Sequence, residues 1–251
     1  MSGNDTKQKR TEPLYKSGRA YTGILNLLYP PVCPFCGEIS PDGICPSCRK
    51  KVRYIKEPRC MRCGKPVEKE EQEYCRDCSG HEASFEQGRS IWLHRMPVSG
   101  AVYQFKYKNK RNFGKVFARE MALCYEAQVR RWKIDEIIPV PLHKSRKRKR
   151  GYNQAGIVAE ELGKLLHIPV NHRAVLRIRN TRPQKELNDT QRIHNLKGAF
   201  AVPENQKIKP NILIVDDIYT TGNTIERVAE KLKAAGAEKV YFLTISIGQG
   251  L

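Results

Sequence analysis

The 251-residue sequence predicts an α/β protein, a mostly parallel sheet flanked by helices, behind a small N-terminal module held together by metal. Three observations carry this expectation. From about Ser90 onward, short apolar runs alternate with amphipathic stretches of helical period, the signature of strands joined by crossover helices. Eight of the nine cysteines stand in C-x-x-C pairs between Cys33 and Cys78. Around them, from Val32 to Cys78, the chain is rich in Pro, Gly and charge, with too few large apolar residues to build a core.

The division expected along the chain is a disordered basic tail at 1–20, a zinc-binding cysteine module at 21–88, and an α/β domain at 89–251. The tail carries many charges and few apolar groups, too few to offset chain entropy. The module opens with an amphipathic helix, in which Ile24, Leu25, Leu27 and Leu28 form one face. Farther on, Ile134 to Val140 reads as a strand. Gln154 to Leu166 reads as a helix with Ile157, Val158, Leu162, Leu165 and Leu166 on one side, and Ile212 to Val215 as a short buried strand. Thr224 to Ala235 reads as a helix ended by Gly236, and Val240 to Ile247 as a last strand. Cys124, apart from the other cysteines, is expected on a buried helix face.

The first twenty residues are polar, and no apolar run approaches the roughly 20 residues that span a bilayer, so a cytoplasmic protein without stable membrane insertion is expected. Cysteines in that compartment stay reduced, which points to metal before disulfides. Cys33 and Cys36, Cys45 and Cys48, Cys60 and Cys63, and Cys75 and Cys78 supply thiolates for two tetrahedral zinc ions. Chain order suggests the first four as one site and the last four as the other, while a cross-braced pairing is chemically equal. No His, Asp or Glu stands beside them as an open-site ligand, so both ions read as structural.

At Asp216 and Asp217 two carboxylates end an apolar strand, and Thr220, Thr221, Gly222, Asn223 and Thr224 lead into a helix. Backbone N–H groups at a helix start, joined by threonine hydroxyls, bind phosphate, and glycine permits its close approach. The carboxylates suit ribose hydroxyls or magnesium-bound waters.

The segment Ile212 to Thr224 resembles the phosphoribosyl pyrophosphate motif of type I phosphoribosyltransferases. A longer stretch, from Tyr29 to Ile247, resembles the ComF family of competence proteins in the cysteine module, Phe105-Lys-Tyr107, Arg150-Gly-Tyr-Asn-Gln154 and Thr181-Arg-Pro-Gln184. That likeness implies a type I phosphoribosyltransferase-like domain joined to a zinc finger. It also implies that Asp216 and Asp217 hold ribose, that Thr220 to Thr224 hold the 5-phosphate, and that the turn Val140, Pro141, Leu142, His143 holds pyrophosphate. Residues Asn180 to Asn195 would form a mobile loop whose Arg182, Lys185 and Arg192 close over the substrate.

The balance of 46 Lys and Arg against 26 Asp and Glu, a net +20, favours polyanionic partners. The excess is densest at Lys144, Arg146, Lys147, Arg148, Lys149 and Arg150, just after a strand end, with Tyr152 following as a base-stacking group. Pyrophosphate and a merely solvated loop are the competing readings of this run. Three functions are compatible with the whole: a DNA-uptake protein that handles single-stranded DNA and binds phosphoribosyl pyrophosphate with magnesium; a working phosphoribosyltransferase acting on a nitrogen acceptor; and a zinc-ribbon scaffold that binds a helicase or another uptake protein.

Overall fold

Strands buried on both faces are written as nearly unbroken apolar runs, and this chain sets three such runs beside a first strand, Gln87–Leu93, whose opening half is polar yet largely buried. The computed structural model describes residues 30–80, 82–180, 196 and 198–248. The expected tail, the helix face at Ile24 to Leu28, and residues 181–195 with Arg182, Lys185 and Arg192 lie outside the described residues. In chain order the elements are α1 (Pro46–Lys51), β1 (Gln87–Leu93), α2 (Val98–Tyr107), α3 (Phe113–Trp132), β2 (Glu136–Pro139), α4 (Lys144–Arg150) and α5 (Gln154–Leu166). They continue as β3 (Leu176–Arg177), β4 (Phe200–Ala201), β5 (Asn211–Tyr219), α6 (Asn223–Ala234) and β6 (Lys239–Ile247). The main sheet runs β1-β6-β5-β2 with every neighbouring pair parallel, and β3 and β4 form a separate antiparallel pair.

Side chains alternate across a strand, so each central strand feeds two cores. Leu213, Val215, Leu243 and Ile245 pack with α2, α3 and α5, whereas Ile212, Ile214, Val240 and Phe242 pack with α6. Each such fully buried side chain contributes about 1.5–3 kcal/mol. On α3 the buried line is Phe117, Met121, Tyr125 and Val129, at four-residue steps. Cys124 sits about 100° around the helix from Tyr125 and is exposed, contrary to its expected burial.

The cysteine module is tied to the outer edge of β1, an edge that otherwise presents unpaired backbone groups. Ile55 N–H donates to the Ile91 carbonyl at 3.1 Å, and Gly88 N–H to the Arg62 carbonyl at 2.7 Å. The first four cysteines join the core of α2, α3 and α5, where Phe35 meets Trp92 edge to face at 5.5 Å; the last four join the core of α6. Glu120 on α3, 2% exposed, accepts from Arg49 at 2.6 and 3.1 Å and from the Tyr54 hydroxyl at 2.6 Å. A buried carboxylate is tolerable only when paired and hydrogen-bonded in this way. Among the described residues no helix is long and apolar enough to cross a membrane.

Candidate functional site

The carboxyl ends of β2 and β5, with the turns that leave them, bring the predicted phosphate residues to one place. Strand β5 runs through Asp216 and Asp217 to Tyr219, so the acid pair lies within the strand, just short of its carboxyl end. Thr220 and Thr221 follow, and Gly222 caps α6 at φ +82°, with no side-chain bond covering the positive end of the helix. A side chain at Gly222 is excluded twice over, by the left-handed backbone and by the Tyr219 ring, whose Cζ would lie 2.9 Å from an added Cβ. That ring is fixed by parallel stacking on Phe242 at 4.7 Å. Asn223 donates its amide to the Thr221 hydroxyl at 3.0 Å.

Asp216 and Asp217 do not stand alone. The Lys106 ammonium pairs with Asp217 at 2.9 Å, and both side chains are largely shielded, at 18% and 14% exposure. Burial, then the Asp217 charge, push the Asp216 carboxyl up to about 7, against the pull of its bond from the Asp217 N–H and of the Lys106 and Arg177 charges. Arg177 on β3 is itself drawn down to about 10 by burial and by the Arg146 charge. Lys106, Arg146 and Arg177 thus gather beside one acid pair.

The motif Arg150 to Gln154, read in the sequence as a family likeness and, at Arg150 and Tyr152, as part of a strand-binding surface, is what holds Lys106 in position. The Tyr152 hydroxyl donates to the Phe105 carbonyl, Gln154 reaches the carbonyls of Phe105 and Lys106 at 3.4 Å each, and Asn153 donates to the Val140 carbonyl at 3.0 Å. Tyr152 is 6% exposed, with Arg111 4.7 Å over its ring. It therefore does not serve as the base-stacking group expected of it: its hydroxyl is spent on the end of α2 and its face is covered. Lys106 and Arg177 are the site residues that sequence reasoning did not assign. The signal for Lys106 was its place in Phe105-Lys-Tyr107.

The basic run forms a helix and not a solvated loop. His143 caps it, with its Nδ1 accepting from the Ser145 N–H at 3.3 Å, and Gly151 ends it in the left-handed conformation. No residue of α4 is buried. Val140 continues the β2 and β5 ladder through a 2.9 Å bond to the Val215 carbonyl, while Pro141 and Leu142 are half-buried on the way to the cap. A cavity of about 510 Å³ opens between α2 and α4, lined by Lys106, Tyr107, Asn109, Arg146, Lys149 and Arg150. A second cavity of about 520 Å³ lies between the phosphate turn, at Thr221 to Asn223, and the last cysteine group, at Arg62, Asp77 and Cys78.

The cysteines fall into two sequential groups, Cys33, Cys36, Cys45, Cys48 and Cys60, Cys63, Cys75, Cys78, so the cross-braced alternative is ruled out. Within each group all sulfurs lie within 4.8 Å of one another, with 3.6 Å between Cys36 and Cys45 and 3.5 Å between Cys63 and Cys75. Four sulfurs at about 2.3 Å from a central zinc stand roughly 3.8 Å apart, so both groups fit a structural ion. Bonds from the Ser47 hydroxyl and the Cys48 N–H draw the Cys45 thiol down to about 6, toward the thiolate a metal requires.

Comparison with known proteins gives two family matches, a double zinc ribbon domain over residues 24–79 and a phosphoribosyl transferase domain over residues 130–246. Competence protein F of Haemophilus influenzae is 31% identical over 208 residues, covering 81% of this chain and 90% of that protein. Competence protein ComFC of Bacillus subtilis is 29% identical over 208 residues, covering 78% and 82%. The DNA utilization protein YhgH of Shigella flexneri is 30% identical over 201 residues, covering 79% and 87%.

Proposed function

The chain belongs to the ComF family of competence proteins, and on that premise we propose that it handles single-stranded DNA arriving in the cytoplasm and holds phosphoribosyl pyrophosphate with magnesium in its phosphoribosyltransferase-type site. The observation that carries this reading is Lys106, which lines the basic cavity beside α4 and at the same time pairs with Asp217. One side chain joins a surface suited to a polyanionic strand to a site suited to a phosphosugar.

The residues perform distinct tasks. The first turn of α6 and the hydroxyls of Thr220, Thr221 and Thr224 receive the 5-phosphate at the positive helix end. Asp216 and Asp217 are hard oxygen donors and fit magnesium-bound waters or ribose hydroxyls. Bound there, the ion supplies neutralisation of the pyrophosphate charge. Lys106 compensates Asp217 in the free protein and turns to a ligand phosphate when the carboxylate is engaged. The turn from Val140 to His143, which leaves β2 beside the end of β5, takes the pyrophosphate side.

The intact acid pair and phosphate turn favour a second reading, transfer of the phosphoribosyl group to a nitrogen acceptor. Pyrophosphate release separates the two. Calorimetry with phosphoribosyl pyrophosphate and magnesium, together with release assays with and without single-stranded DNA and a panel of nucleobases and amines, is run on wild type and Asp217→Ala. Binding weakened about 10–100-fold in the variant is expected, the size of one or two charge-assisted hydrogen bonds. Acceptor-dependent release that the variant loses establishes the transferase; binding without release sinks it. Absence of binding in the wild type overturns the phosphosugar site.

A further inference from the structure

With Tyr152 buried, the strand surface needs another aromatic group, and α2 supplies two. Tyr103 and Tyr107 are each 50% exposed although their rings touch, with centroids 4.9 Å apart at 47°. They stand one helical turn apart and so share a face. The Arg150 guanidinium lies 5.0 Å over the Tyr107 ring, and Tyr107 forms one wall of the cavity whose other walls carry Arg146 and Lys149. The core face of α2 is made by Val98, Ala101, Val102 and Phe105, so the two rings stand off it toward the basic cavity and the solvent.

We propose that Tyr103 and Tyr107 form a stacking platform for the bases of single-stranded DNA, with Arg146, Lys149 and Arg150 taking the adjoining phosphates. The inference rests on the DNA-handling function proposed for the chain and adds the surface that performs it. The combination is the one that unpaired strands select: a cationic groove tracks the backbone while aromatic faces, indifferent to sequence, receive the bases. Unlike Tyr152, Tyr107 is half exposed, so a base reaches its ring by displacing the Arg150 guanidinium, which competes for the same π face and then turns to a phosphate. A duplex, whose bases are stacked inside, gains the charge interactions and not the platform. The groove reaches Lys106, so a strand on the platform passes the rim of the acid pair.

The test is fluorescence anisotropy of a labelled oligodeoxythymidine against full-length wild type, Tyr107→Ala, Tyr107→Phe and Arg146→Ala with Lys149→Ala, each over a range of salt. Tyr107→Ala is expected to bind about tenfold more weakly with an unchanged slope of log affinity against log salt, and Tyr107→Phe to bind as wild type. The double charge variant is expected to flatten the slope by about 0.7 for each phosphate that it no longer neutralises. Tyr107 is exposed, so its replacement leaves folding intact, which a thermal melt checks. Wild-type affinity in Tyr107→Ala, or equal binding of a duplex of the same length, overturns the platform while the DNA reading stands; failure of wild type to bind any strand overturns both. Equally tight binding of oligouridine overturns the assignment to DNA.

Discussion

Asp216 gives the site its pH dependence. Its folded carboxyl titrates near 7 because burial and Asp217 disfavour its charge, whereas an unfolded carboxyl titrates near 3.9. The folded state therefore binds this proton more tightly, so stability falls as pH rises from about 4 to about 7 and stays at the lower level above. Asp216→Asn cannot ionise and escapes the loss. Thermal melts are expected to show it more stable than wild type at pH 8 by up to about 4 kcal/mol, with the gap shrinking through pH 5 and closing toward pH 4; an equal gap at pH 8 and pH 4 sinks the assignment. At this scale the sequence was readable where chemistry is contiguous, as in the acid pair and the threonine turn. It was unreadable where a partner comes from elsewhere: Lys106 meets Asp217 across many intervening residues. Tyr152, following six cations, looked exposed for the same reason, because the carbonyl that captures it belongs to α2.

Among the elements, α5 is the one that periodicity located end to end, from Gln154 to Leu166, since its apolar stripe lies within the segment itself. The helix α4 was invisible to that logic. It has no apolar stripe, and like charges one turn apart, such as Arg146 and Arg150, oppose it. Its ends hold it instead, through His143 before it and Gly151 after it, with Arg150 anchored to Gln154 at 2.6 Å and to Tyr107. The turn into α6 is the most exacting element. Gly222→Ala forces a side chain into the left-handed region and against Tyr219, at a cost of about 2 kcal/mol. A melting temperature lower by about 4–8 °C is expected, together with loss of phosphosugar binding by calorimetry. Unchanged values for both would remove the turn from the site.

Across the whole molecule, one cysteine group is built into the core on each side of the sheet, so the metals are not confined to an appendage. The C-x-x-C spacing announced two ions; it did not announce that the last group would share a cavity with the phosphate turn. Structural zinc contributes roughly 10–16 kcal/mol, comparable to the stability of an entire domain. Chelation is therefore expected to abolish the cooperative melt of the α/β body, followed by circular dichroism, as metal analysis falls from two zinc per chain. A body that melts unchanged after chelation contradicts the shared cores.

The strand order carries a further consequence for how the protein is made. Strand β1 has β6 as its neighbour in the sheet, and β6 is synthesised about 150 residues later. Until then the nascent chain holds β1 with one side waiting. The cysteine ligands, by contrast, are local, and each group closes within a short loop as soon as zinc arrives. Metal capture can thus come first on the ribosome and shelter the outer edge of β1 until its late partner emerges, so that zinc supply acts on the yield of folded protein during translation and not merely on its durability afterwards.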